Sequence, residues 1–460
     1  MSSAPSQDFH SLGASVIELL QQRGDDEAAI DEARRRLAPL HASEVADLLE
    51  SLPPAQRLSV WRLLDAAITG EVLLESSEEV RGQLIRESTP ERLAAAMALV
   101  DVDKLADLYD ELPAPVIDAV IGAMQAQRRR ALETLRRFPE DSAGGLMDQD
   151  AIVVRSDVTL EVVQRYLRWL RRQQGGLPEL TDTLMVVDTQ GRYAGALSLA
   201  DVVSLEPRRS VATTMRRDIA GIPATMPAHK VARIFRDRDL ISAAVVDDDG
   251  HLLGRITVDD MVDVMQDEAD HALLAPAGLD EEHDIFAPVL RSAPRRTIWL
   301  GVNLLNAFIA AWVIGRFGAA IEQMVALAVL MPVVASMGGV AGNQTLTLVT
   351  RGIALDQVGR ANARRLLGKE IGVALVSGLF WALVVGAVAL AWFGSTSLGL
   401  VFGAAILLNI VNGTVAGTLV PLGLSRLGVD PALAGGVLLT ALTDVVGFAS
   451  FLALAMAFVV

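Results

Sequence analysis

The sequence contains no cysteine, which excludes a disulfide framework and any metal site built from thiolates. Its six histidines are scattered, and none of them pairs with another at the spacing of a metal-binding motif. A phosphate-binding Walker loop and a serine or cysteine nucleophile constellation are absent as well. These absences argue against an enzyme.

Charged residues are scarce in the last 170 residues. Residues 291–460 contain 10 Lys and Arg and 5 Asp and Glu, a net charge of +5. Residues 1–290 contain 30 basic and 51 acidic residues, a net charge of −21. Such an acidic surface argues against nucleic acid as a partner and suits divalent cations. The chain therefore joins an acidic half to an apolar half.

No long apolar run precedes Thr297, and the segment from Met1 to Asp8 is polar. We therefore expect no signal peptide and a cytoplasmic location for roughly the first 290 residues. Five apolar stretches follow, of about the length that crosses a bilayer, for which ~20 residues suffice. They cover about residues 297–315, 321–349, 370–393, 398–423 and 433–459.

Basic residues flank these stretches on alternate sides. If the N-terminus is inside, nine of the ten Lys and Arg of this half are cytoplasmic and only Arg316 is outside. Because Lys and Arg concentrate in cytoplasmic loops, we expect a multi-pass protein of the inner or plasma membrane. Its N-terminus would be cytoplasmic and its C-terminus outside. The nine residues are Arg291, Arg295, Arg296, Arg351, Arg360, Arg364, Arg365, Lys369 and Arg426.

The last apolar stretch contains one ionisable residue, Asp444. Counting ~1.5 Å per residue from Leu433 puts its carboxylate ~16 Å in, near the middle of a ~30 Å hydrocarbon core. A carboxylate there costs at least ~2.5–3.5 kcal/mol unless it faces water, an ion or a partner. This position favours a cation path. The alternative is a buried Asp that is hydrogen-bonded by neighbouring hydroxyls.

The second apolar stretch is interrupted by Pro332 and by Gly338-Gly339. This predicts either a bent helix or a helix with an unwound segment, and unwound backbone is tolerated in a bilayer where it lines a cavity. Carbonyls and a carboxylate are hard oxygen donors that suit hydrated Mg²⁺ or Ca²⁺. Since each chain has one central carboxylate, we expect a pore shared between two protomers. Gly413 and Gly417 of the fourth stretch predict close contact between helices.

A segment of the acidic half recurs at an offset of 59. Val187 to Asp201 and Val246 to Asp260 share the spacing Gly–x3–Gly–x5–Asp. Each copy predicts a strand, a glycine turn, a second strand and a helix with the Asp as its N-cap. The repeat resembles a tandem of CBS modules over roughly residues 145–270. CBS pairs often bind adenine nucleotides, so ATP is a candidate ligand.

Residues 15–137 have a helical pattern with a repeat of its own. Ala46-Asp-Leu-Leu-Glu-Ser-Leu-Pro53 recurs as Ala106-Asp-Leu-Tyr-Asp-Glu-Leu-Pro113, at an offset of 60. A superhelix of short helices would explain the recurrence.

The order of these parts resembles the MgtE family of magnesium transporters, whose members function as channels. The segments that carry the resemblance are Phe138-Pro-Glu-Asp-Ser-Ala-Gly-Gly-Leu-Met147, Pro332-Val333 with Gly338-Gly-Val-Ala-Gly-Asn-Gln344, and Asp430-Pro-Ala432 with Thr440, Asp444-Val445 and Gly447. Val340 and Gly436 depart from the family pattern, which often has Asn at these positions, and they leave the details of selectivity open.

The resemblance implies a homodimer in the lipid bilayer, with a central pore formed by the second and fifth spans. Asp444 would be the carboxylate that binds hydrated Mg²⁺ in the pore. Gly339, Asn343 and Thr347 would line the path, mainly through backbone or hydroxyl oxygens.

The resemblance also implies feedback by intracellular Mg²⁺, which would be regulator as well as substrate. The ion would bridge the acidic surfaces of the N domain, the CBS pair and a connecting plug helix, and so close the pore. Spacings of three and four place most of the matching acids on one helical face, where like charges repel one another. These acids are Asp260, Asp263, Asp267, Glu268 and Asp270.

The predicted fold is a multi-domain membrane protein with an all-α superhelical N domain, an α/β CBS pair, a plug helix and a transmembrane domain of five helices. The predicted domain ranges are 1–137, 138–208, 209–257, 258–296 and 297–460. A passive Mg²⁺ channel is the main hypothesis. A coupled carrier or exporter of divalent cations is the first alternative, and a nucleotide-sensing membrane scaffold that does not transport is the second.

Overall fold

A computed structural model describes residue 12 and residues 15–19, 27–174, 176–178, 180–279, 284–355, 357–359 and 361–459. The chain divides into two compact units. One comprises Met1–Asp270 with Glu281–Ala287, and the other comprises His271–Asp280 with Pro288–Val460. Arg360, which contributed to the predicted orientation, lies outside the described residues.

Nine short helices between residues 27 and 135 make up most of the start of the first unit. Proline opens α3 and α6, as is common at the first helical position, where the missing N–H costs nothing. Fully buried leucines from successive helices form one continuous core. The helices are α1 (Glu27–Leu37), α2 (Ala42–Glu50), α3 (Pro54–Trp61), α4 (Ala66–Glu75), α5 (Glu78–Arg86), α6 (Pro90–Met97), α7 (Val102–Leu108), α8 (Ala114–Ala123) and α9 (Ala126–Leu135).

The repeat at an offset of 60 corresponds to two equivalent helices, α2 and α7. Their first residues, Ala42 and Val102, are themselves 60 apart. The matched residues Leu48 and Leu108 are both fully buried. The recurring sequence therefore encodes the same buried helical face twice.

Two three-stranded sheets of identical topology follow. In each, a parallel pair is extended by an antiparallel strand, in the orders β1-β2-β3 and β4-β5-β6. The register shifts in the same place in both, at Val186/Val187 and at Val245/Val246. The elements are β1 (Val153–Arg155), α10 (Leu160–Gln174), β2 (Thr183–Val187), β3 (Tyr193–Ser198), α11 (Leu199–Ser204), α12 (Val211–Thr214), β4 (Ile222–Pro223), α13 (Ala228–Arg238), β5 (Ser242–Val246), β6 (Leu252–Thr257) and α14 (Val258–Leu274).

The turns of the two sheets explain the recurring Asp and Gly. Asp188 accepts hydrogen bonds from the backbone N–H groups of Gln190 and Arg192, at 2.7 and 2.9 Å. Asp247 closes the equivalent turn in the same way, at 3.0 and 2.8 Å. Gly191 and Gly250 have φ values of +82° and +83°, a region that glycine adopts without strain.

A buried ion pair joins the helices of the first unit to the segment at 284–287. The guanidinium of Arg57 donates to both carboxylate oxygens of Asp284, at 2.9 and 3.1 Å. It also donates to the Leu49 carbonyl at 2.9 Å and to the Gln83 side chain at 2.8 Å. The Arg57 side chain is 0% exposed and that of Asp284 is 4% exposed. Asp284 precedes the first residue of α15, Val289, by five positions.

The second unit contains five helices that are long and apolar enough to cross a membrane, counted over the described residues. They are α15 (Val289–Gly315), α17 (Ala326–Ala354), α18 (Ala363–Phe393), α19 (Thr396–Arg426) and α20 (Pro431–Phe458). The short helix α16 (Gly318–Gln323) precedes α17, and a 3₁₀ turn (Ala275–Ala277) follows α14. The second span predicted from residue 321 thus corresponds to the end of α16 and most of α17.

Helix α17 is continuous through Pro332 and Gly338-Gly339, so the predicted unwound segment is wrong. Pro332 lies inside the helix, in its second turn, where it has no N–H to donate and its ring crowds the carbonyl of Ala328. The glycines have a different role, because they let helices approach. A Cβ at Gly413 would clash with the Gly338 carbonyl, and one at Gly417 with the Gly342 carbonyl. The predicted close contact at Gly413 and Gly417 is confirmed.

Candidate cation sites

Carboxylates from two distant parts of the first unit come together in one cluster. Asp103 and Asp107 lie one turn apart on α7, and Asp260 lies in the first turn of α14. The charge of Asp103 acts on both Asp107 and Asp260, and the charge of Asp260 acts on Asp107. Asp263, one turn further along α14, is close enough to α7 to feel the charge of Lys104. We name Asp103, Asp107, Asp260 and Asp263 the α7–α14 cluster.

The surroundings of this cluster disfavour the ionised form of its carboxyls. Loss of hydration, followed by the charge of Asp148, raises the pKa of Asp103 to about 6. Loss of hydration, followed by the charge of Asp103, raises the pKa of Asp107 to about 7. Burial raises the pKa of Asp260 to about 6, against the hydrogen bonds from Thr257, which lower it. These carboxyls therefore keep their protons to a higher pH than ordinary aspartates, up to about pH 6 for Asp103 and Asp260 and about pH 7 for Asp107.

Asp107 is the most solvent-exposed of the three shifted residues. Salt should therefore screen the charge of Asp103 that acts on Asp107 more than it screens the charges that act on Asp103 and Asp260, because screening is strongest for exposed charges. Burial, followed by the charge of Asp259, also raises the pKa of Asp263.

Two further acids border the cluster. The Asp148 carboxylate pairs with the buried guanidinium of Arg255 at 3.2 Å. Burial, followed by the charge of Asp148, raises the pKa of Asp150. Asp260 and Asp263 are predicted from the sequence, whereas Asp103, Asp107, Asp148 and Asp150 are not. The spacing of four between Asp103 and Asp107 was the one available signal.

The remaining predicted sensor residues lie farther along α14. Asp267, Glu268 and Asp270 are exposed. At ~1.5 Å of rise per residue, they lie ~10–15 Å along the helix from Asp260. The structure therefore brings two of the five predicted acids into the α7–α14 cluster and leaves three on the surface beyond it.

Another group of potential metal ligands, separate from the α7–α14 cluster, lies in the turn between β5 and β6. Single ligand atoms of Asp247, Asp249 and His251 lie within 4.8 Å of one another. However, one Asp247 oxygen accepts two backbone N–H groups that close the turn. Asp188 does the same in the first sheet, so the arrangement is explained by the turn.

Asp444 lies in α20 and is half-buried in the single chain. Its carboxylate makes no hydrogen bond or ion pair with any described residue, so hydroxyl bonding does not account for it. The nearby hydroxyls bond elsewhere: Thr443 donates to the Thr440 carbonyl at 3.1 Å, and Thr440 donates to the Gly436 carbonyl at 2.9 Å. The predicted alternative of an Asp bonded by neighbouring hydroxyls is therefore wrong.

The predicted lining residues of α17 follow one helical face. Asn343 and Thr347 are exposed, and the Thr347 hydroxyl donates to the Asn343 carbonyl at 2.9 Å. A Cβ at Gly339 would lie 4.0 Å from the hydroxyl oxygen of Thr443, the residue before Asp444. The structure thus brings Gly339 next to the Asp444 segment. Asn343 and Thr347 lie one and two turns farther along α17, away from the Asp444 segment.

This face of α17 and α20 offers hard oxygen donors, which suit a hydrated divalent cation. Next to it, a Cβ at Gly436 would meet no atom within 4 Å. Gly436, where the family pattern often has Asn, therefore borders open space in the single chain.

Three family models match the chain. One described as a divalent cation transporter matches residues 331–454. One described as the MgtE intracellular N domain matches residues 40–141, and a CBS domain model matches residues 209–267.

The chain is similar over nearly its whole length to proteins named magnesium transporter MgtE. It is 32% identical to the one from Thermus thermophilus, over 96% of this chain and 98% of the relative. It is 28% identical to the one from Bacillus subtilis, over 94% of each. A crystal structure of the cytosolic domain of the Mg²⁺ channel MgtE in complex with ATP matches 55% of this chain and 99% of its own, with 32% identity and a TM-score of 0.48.

Proposed function

The chain belongs to the MgtE family of magnesium transporters, and from this premise we propose that it is a Mg²⁺ channel for uptake, gated by intracellular Mg²⁺. The observation that carries the proposal is the Asp444 carboxylate. It has no hydrogen bond or ion pair among the described residues, although it lies within a helix long enough to span a membrane. Because an intramembrane carboxylate is costly without a partner, a passing cation is the partner that we propose.

In the proposed pore, Asp444 contacts the hydration shell of Mg²⁺, and it need not replace the waters. Mg²⁺ gives up its waters reluctantly, so a ring of oxygens around the hydrated ion is chemically suitable. Gly339, Asn343 and Thr347 would contribute backbone or hydroxyl oxygens along α17. A homodimer would place two Asp444 carboxylates about a two-fold axis and double the negative charge there.

In the proposed gate, intracellular Mg²⁺ binds the α7–α14 cluster. The raised pKa values of Asp103, Asp107 and Asp260 support this, because loss of hydration and, after it, the charge of neighbouring carboxylates disfavour their ionised forms. A divalent ion relieves the repulsion and so favours the conformation in which α7 and α14 are close. Asp263, Asp267, Glu268 and Asp270 would extend the acidic surface along the plug helix α14, and closing would follow from this compaction.

ATP at the CBS pair is a further proposal. Its support is the tandem fold, since CBS pairs often bind adenine nucleotides. Isothermal titration of the full chain with ATP tests it, and an absence of binding heat at millimolar ATP would contradict it.

The orientation and the domain boundaries also belong to the proposal. The charge asymmetry supports a cytoplasmic N-terminus and an external C-terminus. We propose boundaries at residues 137, 208, 257 and 296, with a plug and linker between the second CBS module and the membrane domain.

Mg²⁺ uptake into proteoliposomes that contain the full chain tests the function. A channel takes up Mg²⁺ when a membrane potential is imposed without a proton or sodium gradient, with ~2.3 kcal/mol per charge per 100 mV as the driving force. Uptake that requires such a gradient would favour the alternative, a coupled carrier. The absence of uptake under either condition would favour a scaffold that does not transport.

The gate has its own test, which compares uptake at low and high Mg²⁺ on the cytoplasmic side. We expect high internal Mg²⁺ to suppress uptake in the wild type, and we expect Asp103→Asn with Asp260→Asn to weaken the suppression. Asp118→Asn is the control, since it removes an exposed acid from α8. Equal suppression in all variants would show that the cluster is not the sensor.

A further inference from the structure

One asparagine lies where three membrane helices meet. Asn409 of α19 is 0% exposed. Its side-chain N–H donates to the backbone carbonyl of Val334 in α17, at 2.8 Å. A buried amide is costly unless it is hydrogen-bonded, so this bond holds α19 to a defined point of α17.

Two glycines make room for this amide, one on each neighbouring helix. A Cβ at Gly338 of α17 would clash with the Asn409 amide nitrogen, and a Cβ at Gly447 of α20 would lie 2.5 Å from it. The amide therefore occupies the space that side chains at these two positions would fill. The Asn409 amide therefore lies between α17 and α20 and sets the distance between the two helices at this point.

A second amide continues the contact along α20. The side-chain nitrogen of Asn412 lies 3.5 Å from the Asn409 side-chain oxygen and 3.4 Å from the backbone carbonyl of Leu442. On α20, the contacts at Leu442 and Gly447 thus bracket Asp444. On α17, the contacts at Val334 and Gly338 lie immediately before Gly339.

We propose that Asn409 is a positioning residue for the cation path. It sets the spacing and the register between the backbone at Gly339 and the carboxylate of Asp444, although it contacts neither. The proposal rests on the proposed function, because the path to be positioned is the proposed pore. An oxygen ring around a hydrated ion discriminates between cations by its size, so a change in this spacing alters selectivity as well as rate.

Disulfide cross-linking measures the spacing without transport. The natural chain has no cysteine, so Gly339→Cys with Thr443→Cys provides one defined pair. The Cβ at Gly339 would lie 4.0 Å from the Thr443 hydroxyl oxygen, the atom that a cysteine sulfur would replace, so a small side-chain or helix movement brings the two sulfurs to bonding distance. We expect the pair to cross-link under mild oxidation in the full chain. Adding Asn409→Leu, which keeps the volume and removes the hydrogen bonds, should slow cross-linking about threefold to tenfold.

Asn306→Leu is the matched control. Asn306 of α15 also donates an interhelical hydrogen bond to α20, to the Val437 carbonyl at 3.2 Å. Since that bond does not involve α17, we expect the cross-linking rate to stay at the wild-type value.

The second readout is the ratio of Mg²⁺ to Ca²⁺ uptake in proteoliposomes. Asn409→Leu should lower this ratio about threefold to tenfold, on the scale of one hydrogen bond between membrane helices. Gly338→Ala, which forces the amide to move, should change it in the same direction. The double variant Gly338→Ala with Asn409→Ala should be no worse than Asn409→Ala alone, because both changes act on one contact.

Slower cross-linking together with a lower ratio supports the proposal. Cross-linking as fast as in the wild type, or an unchanged ratio while both fluxes fall in proportion, overturns it. If the wild type takes up no Mg²⁺ and cross-linking still depends on Asn409, the proposed pore fails while the positioning of α17 against α20 stands.

Discussion

Removing the partner of a buried arginine should loosen the segment that leads into the membrane domain. Asp284 is the partner, and it holds Arg57 through two hydrogen bonds inside the first unit. In Asp284→Ala the guanidinium stays buried and keeps only its bonds to the Leu49 carbonyl and the Gln83 side chain. The perturbation therefore leaves a buried positive charge without its counter-charge.

The expected loss of folding free energy follows from the burial of this ion pair. Breaking a buried ion pair by removing one partner costs about 3–5 kcal/mol, because the other charge is left uncompensated. Asp284→Asn should cost less, about 1.5–3 kcal/mol, since the amide oxygen still accepts one hydrogen bond. Arg57→Met with Asp284→Leu should cost less than Asp284→Ala, because apolar side chains of suitable volume often replace a buried pair without loss.

Hydrogen exchange of the full chain, followed by mass spectrometry, measures this effect locally. We expect faster exchange at residues 284–287 and in the α3 and α5 peptides of Asp284→Ala. The Phe286 amide is the most direct reporter, because it donates to the Asp284 carboxylate at 2.8 Å. Asp157→Asn is the control: its pair with Arg155 is exposed and exposed pairs contribute little, so exchange should stay at the wild-type rate.

Exchange in Asp284→Ala that matches the wild type at residues 284–287 would refute the reasoning. It would mean that the pair does not hold the segment. A loss of protection spread equally over the whole first unit would also contradict it, because the predicted change is local.

Other predictions concern the α7–α14 cluster and the glycine contacts. The raised pKa values mean that the folded state binds protons between pH 4 and pH 7 that the unfolded chain has released, so stability should fall as pH rises through this range. In a chelator-containing buffer, the Tm should therefore be higher at pH 5 than at pH 8, and Asp103→Asn with Asp260→Asn should flatten this dependence. Mg²⁺ binding should release more protons at pH 6.5 than at pH 8, which calorimetry in buffers of different ionisation heat measures. Equal proton release at both pH values would contradict the raised pKa values. Gly417→Leu should lower the yield of folded protein on size-exclusion chromatography, because its side chain meets the α17 backbone, whereas Gly423→Leu meets open space and should not.

Local repeats made much of the first unit predictable. The offset of 59 predicted two equivalent strand–turn–strand units, and both sheets have the same topology and the same register shift. The predicted N-cap role of the repeated Asp is wrong, however. Ser198 caps α11, and Asp260 lies within α14 and accepts from Thr257. At α11 the cap is thus the serine three positions before the Asp, whereas at α14 the backbone N–H and the hydroxyl of Thr257 both donate to Asp260.

Only half of the residues of the α7–α14 cluster could be predicted from the sequence. Asp260 and Asp263 have the spacing of a helical face, but nothing in the sequence relates them to Asp103 and Asp107. Their proximity follows from tertiary packing, in which Val102 and Ala106 of α7 contact the core that includes Met261. Contacts between distant elements of this kind carry no periodic signal.

The membrane helices were predictable from apolar length, but the state of α17 was not. Gly338-Gly339 suggested unwound backbone, whereas the structure uses Gly338 to admit the Asn409 amide from another helix. A glycine that breaks a helix and a glycine that admits a partner look alike in a sequence. The partner distinguishes them, and it lies about 70 residues away.

The most direct test of the central claim is Mg²⁺ uptake into proteoliposomes by Asp444→Asn, which keeps the shape of the side chain and removes its charge. Glu322→Gln is the matched control, because it makes the same chemical change in α16, outside the five long helices. The proposed pore predicts that uptake falls at least about tenfold in Asp444→Asn, which corresponds to a stabilisation of the passing ion by about 1.4 kcal/mol or more. Uptake by Glu322→Gln should stay at the wild-type rate. Uptake by Asp444→Asn at the wild-type rate would show that the cation path does not use this carboxylate.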